Sequence, residues 1–161
     1  MISDSVGFAR LSARLDLLEA EREIVDTIQR YSTAIDDGLD EEWLDCFTSD
    51  GVFEVKTRIG VAFEVRGHDA LRPFIAGHTK APHRWHKHLT AAYRIQIDGD
   101  GATVQSTILR IDSDDDGVPK VWVFGRYQDS LVREERWRFR HRTISLEGIH
   151  PTQVEIMTRV V

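Results

Sequence analysis

Two stretches of this sequence carry side chains able to move protons. The first holds Tyr31 and Asp36 in a run whose apolar residues Ile24, Val25, Ile28 and Ile35 recur at helical spacing. On a wheel of about 100° per residue with Ile28 at the origin, Tyr31 falls at about −60° and Asp36 at about +80°. They flank the apolar stripe, while Asp37 falls at about 180°, toward water. A carboxylate turned inward needs a partner, because an unpaired buried charge is expensive. The plainer alternatives are a frayed last turn with both aspartates solvated, or Asp36 held by an arginine. The second stretch runs His83, Arg84, Trp85, His86, Lys87, His88. In a strand, His86 and His88 share a face with Thr90 and Ala92, and small residues beside a histidine leave room for a ligand. Imidazole is the side chain that moves protons most readily near neutral pH. Three close histidines could instead bind a metal, but no Glu or Cys lies at typical ligand spacing. For any single histidine a structural role is the commonest one.

Other motifs carry less. Asp112 to Gly117 mimics the start of a calcium loop, but the loop's last position falls on Val123 and strand follows, so a solvated hairpin turn is expected. No glycine pattern sits between a strand and a helix to cradle phosphate. No serine lies in a nucleophile elbow.

The elements that must position these residues follow from period and punctuation. Leu11, Leu15 and Leu18 form one short helical stripe and the run from Ile24 to Ile35 forms a second, with Arg22 at the join. This is one long helix or two in sequence, closed by Gly38. Asp40 reads as the N-cap of a short helix burying Trp43, Leu44 and Phe47. Alternation then predicts a hairpin, with Phe53 and Val55 in one strand and Val61, Phe63 and Val65 in the other. A third helix fits roughly 69–77, with Pro73 tolerated in its first turn. Strands follow over roughly 84–97, 102–111, 121–133 and 137–145. Helices, a hairpin, a helix and a strand meander give an α+β fold on one curved, mostly antiparallel sheet.

Composition bounds the function classes. A chain of 161 residues with 41% hydrophobic and 30% charged residues fits one globular domain, 1–161. Residues 1–9 and 148–161 read as tails that are flexible or contact a neighbouring subunit. Val154, Ile156 and Val160 hint at a strand there. A net charge of −6 without a basic stripe argues against nucleic acid. No stretch approaches the roughly 18 apolar residues of a membrane helix, and no signal peptide is evident. Cys46 is the only cysteine, so the expected compartment is the cytoplasm.

The chain resembles the SnoaL-like branch of the NTF2-like superfamily over nearly its whole length. The segments that carry the resemblance run from Tyr31 to Gly38, Trp43 to Phe53, Gly67 to Leu71, His88 to Thr90, Ile97 to Ala102 and Gly125 to Arg133. The resemblance implies a cone-shaped fold with a deep pocket, and commonly a homodimer or homotrimer. Within the superfamily, the pattern resembles scytalone dehydratase, bile-acid 7α-dehydratase and hexachlorocyclohexane dehydrochlorinase. Those enzymes pair an Asp near the end of the long helix with a His early on a strand, and Asp36 and His88 match. Tyr31 matches a tyrosine of the bile-acid enzyme. Phe124 and Arg126 fall where scytalone dehydratase contacts substrate. Arg140 and Arg142 are only near the bile-acid enzyme's arginine, and the usual ketosteroid isomerase base would fall near Val55.

The resulting expectation is a cofactor-free lyase acting on a small apolar, flat or polycyclic ligand, with no metal. His88 is its base, Asp36 orients the imidazole, and Tyr31 donates to a developing oxyanion or a leaving group. Trp122, Phe124, Arg126 and His86 are the expected substrate-binding residues. A carboxylate favours the charged imidazole, so the dyad implies a raised His88 pKa. The alternatives are a non-catalytic ligand-binding or oxygenase small-subunit module, and an isomerase or cyclase using the same pocket.

Overall fold

The structure is a computed structural model, which describes residues 2–58, 60–78, 85–113 and 115–149. His83, Asp114 and the expected strand through Val154, Ile156 and Val160 lie outside the described residues. The elements run α1 (Ile2–Asp37), α2 (Asp40–Leu44), β1 (Phe47–Thr57), β2 (Gly60–Arg66), α3 (His68–Ala76), β3 (His86–Asp98), β4 (Gly101–Ser113), β5 (Pro119–Arg133) and β6 (Trp137–Ile149). The two apolar stripes of the first third therefore lie on one uninterrupted helix of 36 residues. No described helix is long and apolar enough to cross a membrane.

Gly38 ends α1 as its sequence position suggests. It takes φ 73°, and the Leu39 N–H returns to the Ala34 carbonyl at 2.9 Å, satisfying one of the last turn's open acceptors. Asp40 is not an N-cap. It is the first residue of α2, and the preceding Leu39 offers no side-chain cap. Asp40, Glu41 and Glu42 instead favour the positive end of that helix.

The six strands form one curved, unclosed sheet in the order β2-β1-β6-β5-β4-β3. All neighbours are antiparallel except β1 and β6, which are parallel. On β4 the even positions Ala102, Val104, Ser106 and Ile108 are buried, and so are Tyr127, Asp129 and Leu131 on β5. This is the face on which the helices pack. Its centre is aromatic, with Tyr31 of α1 meeting the rings of Trp43, Phe47, Tyr127 and Phe139 at centroid separations of 5.5, 6.0, 6.2 and 5.8 Å. Fully buried apolar side chains of this size contribute about 1.5–3 kcal/mol each, so this cluster fixes α1 against β5 and β6.

Gly125 lets β5 and β6 approach closely. A β-carbon there would collide with the backbone carbonyl of Ser145, at the point where the pairing register shifts. Backbone cannot swing away as a side chain can. Gly125→Ala is therefore expected to cost about 1–3 kcal/mol in urea unfolding, while leaving the m-value unchanged.

Candidate active site

The register of two strands builds the site. β3 pairs His88 with Arg110 and His86 with Asp112 of β4, so all four side chains occupy neighbouring positions on the helix-covered face. α1 ends above them. Its last turn carries two acids, which oppose the negative end of the helix dipole. The cost is met by bonds to β3. Asp37 pairs with Lys87 at 3.0 Å, on the solvent side. Asp36 is 6% exposed and turned inward, so the inward reading of the helical wheel holds.

Asp36 grips His88 twice. Its Oδ1 lies 2.6 Å from His88 Nδ1, and the His88 backbone N–H donates to Oδ2 at 3.0 Å and to Oδ1 at 3.2 Å. A carboxylate in this position selects the tautomer with the proton on Nδ1, which leaves the lone pair on Nε2. His86 Nε2 lies 3.5 Å from the same Oδ1, beyond a good hydrogen bond. Its ring stands at 89° to that of His88, with centroids 5.3 Å apart. His78, just past α3, brings a third imidazole, 5.1 Å from His86 and 6.2 Å from His88.

The electrostatics reverse one expectation. The His88 pKa is lowered, not raised. Burial penalises the imidazolium more than the Asp36 hydrogen bond and charge favour it, and Arg110 adds a further push downward. His86 is pushed down to about 4 by burial, then by Arg110 and His88. Both rings are therefore neutral at physiological pH. Neither ring nitrogen of His86 has a hydrogen-bond partner among the described residues, although the side chain is buried. A buried polar group left open in this way is suited to a ligand.

Asp36, His86 and His88 each place one donor atom within 4.8 Å of the others, which raises the question of a metal. The 2.6 Å Nδ1–Oδ1 separation is that of a shared proton. Two ligands of one tetrahedral ion at ordinary bond lengths sit roughly 3.4 Å apart. The observed arrangement fits a hydrogen-bonded pair better than a ligand set.

The other expected residues scatter. Tyr31 sits inside the aromatic cluster, under the Arg142 guanidinium at 4.1 Å, and the dyad is not among the groups its ring meets. Burial raises its pKa well above the ordinary value, so it stays a neutral phenol. The donor role expected for Tyr31 finds no support in this packing. Trp122 is buried in the core cluster beside Val123, the register partner of Arg110. Phe124 and Arg126 alternate with the buried Val123, Gly125 and Tyr127 and so face outward. Phe124 is 47% exposed, and Arg126 pairs with Glu147 at 2.9 Å. Both lie on the opposite face of the sheet from the dyad. Ala92 also leaves the expected row. It takes φ 55° where the β3–β4 register slips, and it is exposed.

Three residues of the site were not singled out by sequence. Arg110 and Asp112 form a bidentate pair at 2.7 and 2.8 Å, and Asp112 is 1% exposed. The acidic run from Asp112 is therefore a turn only beyond β4, and its first member is a buried site residue. The period of two that joins His86 to His88 also joins Arg110 to Asp112, and only the strand register reveals that the two pairs adjoin. His78 had no sequence signal, because the helix–strand connection brings it in. Arg142, left aside as an imperfect match, is fully buried. It pairs with Asp129 at 3.0 and 3.1 Å and stacks on Tyr31, Tyr127 and Phe139 at 3.8–4.2 Å.

Comparisons with known proteins agree with this architecture. No curated protein sequence is similar enough to count as a relative. Among solved structures, a protein of unknown function from Mycobacterium tuberculosis superposes with a TM-score of 0.72 at 28% identity, over 88% of this chain and 77% of that one. A candidate scytalone dehydratase from Novosphingobium aromaticivorans gives 0.70 at 23% identity, over 86% and 90%. The beta subunit of a candidate aromatic-ring-hydroxylating dioxygenase from the same organism gives 0.73 at 17%, over 84% and 94%. Likeness at the last two identities shows the fold alone. The profile of the SnoaL-like domain matches residues 16–143, which include Asp36, His88, Arg110 and Arg142, and the chain belongs to that family.

Proposed function

We propose that this chain is a cofactor-free lyase of the dehydratase or dehydrohalogenase type, acting on a small apolar ring compound. The observation that supports the reading most is the Asp36–His88 pair. One buried carboxylate binds both the ring and the backbone of a single histidine, and so holds the imidazole as an oriented neutral base. In this reading His88 Nε2 takes a proton from the carbon next to a carbonyl or other electron-withdrawing group. The electrons of that C–H bond form the new C=C bond, and hydroxide or halide departs from the adjacent carbon. The proton on Nε2 leaves with hydroxide as water, or passes to solvent when halide is lost. Asp36 stabilises the imidazolium formed in between. His86, buried and open at both nitrogens, replaces Tyr31 as the donor to the leaving group or the developing oxyanion. Arg110, held rigid by Asp112, adds a fixed positive charge beside both histidines.

Titration by NMR tests the dyad directly, with the His88 signal assigned through His88→Ala. The wild-type His88 is expected to titrate below the reference of about 6.5. In Asp36→Asn it is expected to titrate lower still, because the carboxylate is the main group opposing burial. An identical titration in both proteins would show that the two residues are not coupled. The second part is turnover of hydroxylated and halogenated ring compounds, read as growth of a conjugated chromophore. The likeness to a dioxygenase beta subunit supports a second reading, a non-catalytic subunit. That reading requires co-purification with a larger partner and no turnover by the chain alone.

A further inference from the structure

The first half of α1 carries an apolar face that no other described residue covers. From Val6 onward, no residue of the helix is buried before Ala20. Phe8, Leu11, Leu15 and Leu18 are 74, 64, 54 and 60% exposed. On a wheel of about 100° per residue they fall within a sector of about 80°. The buried residues Ile24, Ile28 and Ile35 centre about 140° from the middle of that sector. The exposed stripe is therefore a second face and not a prolongation of the core stripe. It ends at Arg22, which occupies the same sector and is tied to Asp26 at 2.9 Å in solvent.

The spacing identifies what such a face fits. Phe8, Leu11, Leu15 and Leu18 are separated by three, four and three residues, the a and d positions of two heptads. The flanking g and e positions then include Arg14 and Glu19, both exposed. In a parallel pair of identical helices, a g residue faces the e residue five positions further along on the partner, so each Arg14 meets Glu19 of the other copy, twice by symmetry. An antiparallel pair that aligns the same apolar layers brings Arg14 against its own counterpart, a like-charge contact.

We propose that the N-terminal half of α1 pairs in parallel with the same segment of a second copy, closing a short coiled coil through Phe8, Leu11, Leu15 and Leu18. This makes the segment a self-recognition surface, separate from the Asp36–His88 site and independent of the reaction assigned to it. The site lies at the other end of the helix, so each copy retains a complete set of site residues.

The test uses the full chain in sedimentation and in disulfide trapping. Leu15→Lys is expected to weaken self-association roughly 100-fold, because two apolar side chains are replaced by charges inside the seam. Arg14→Glu and Glu19→Arg are each expected to weaken it about tenfold, and an equimolar mixture of the two is expected to recover it, since both cross-pairs are then opposite in sign. Leu11→Cys is expected to form a covalent dimer on mild oxidation, because equivalent d positions face each other only in the parallel register. Cys46 is buried and does not compete. A monomeric wild type would overturn the proposal, including the case in which residues 150–161 of the same chain cover the stripe. An oligomer unaffected by Leu15→Lys would overturn it in favour of another surface. Recovery absent in the mixture, with no trapping of Leu11→Cys, would overturn the parallel pairing.

Discussion

Replacing His88 with Ala is expected to lower kcat/KM by about 10²–10⁴ while leaving the fold in place, the range that general base catalysis supplies. The fold should survive for a specific reason. Asp36 accepts two bonds from the His88 backbone N–H as well as one from the ring, so truncating the side chain does not leave the carboxylate unsatisfied. Circular dichroism and thermal melting of the variant should overlay closely on the wild type. Turnover of the true substrate at a near-normal rate would remove His88 from the mechanism. The same residue sets the pH profile. Burial lowers its pKa, so the free base is the resting form at neutral pH. Activity should therefore be flat from about pH 7 upward and fall on the acid side, with an apparent midpoint below the ordinary histidine value of about 6.5. The limb belongs to the neighbouring pair His88 and His86 rather than to one residue.

The largest stability effect is expected at Arg142. Its guanidinium and the Asp129 carboxylate are both fully buried, and each is the other's counter-charge. Burial already pushes Asp129 up to about 6, against the pull of Arg142. Arg142→Met keeps roughly the length and bulk of the side chain but leaves Asp129 without its cation, which should cost about 3–5 kcal/mol in urea unfolding. The sign of the pH dependence follows. Without Arg142 the folded-state pKa of Asp129 rises further above its unfolded value. The folded variant then holds a proton that the unfolded chain lacks, and is stabilised as pH falls. The gap from wild type should therefore narrow between pH 7 and pH 5. The double variant Arg142→Met with Asp129→Leu is expected to recover most of the loss, because an apolar pair of similar bulk needs no desolvation. A single variant as stable as wild type would mean that the pair carries no such charge.

The position of this ion pair also bears on the site. Tyr31 stacks under Arg142 and packs against Trp43 and Phe139, so the aromatic cluster and the pair together fix the middle of α1. Asp36 lies one and a half turns further along the same helix. Loosening the cluster would move the carboxylate relative to β3, where a shift of about 1 Å is enough to break a short hydrogen bond.

Much of this was legible in the sequence, because it depends on periods that a chain displays locally. The helical spacing of Ile24, Ile28 and Ile35 fixed the buried face of α1 and turned Asp36 inward and Asp37 outward. Gly38 marked the stop, since a left-handed residue is needed there. Alternation gave the hairpin and the meander, and with the helices they imply α+β. Other features depend on registers and burials that no local pattern carries. That His86 and His88 lie beside Asp112 and Arg110 is a matter of which rungs of β3 and β4 pair. Phe124 and Arg126 were placed by likeness to a site on the inner face, and a bulge near Trp122 decides which residues face out. Tyr31 was given its role by likeness to a tyrosine of the bile-acid enzyme, yet five aromatic and cationic groups from four other elements enclose it. The direction of the His88 pKa depends on the balance between a carboxylate at hydrogen-bond distance and the loss of water around the ring. Sequence supplies the first term through Asp36, but the second exists only once the helix has closed over the sheet.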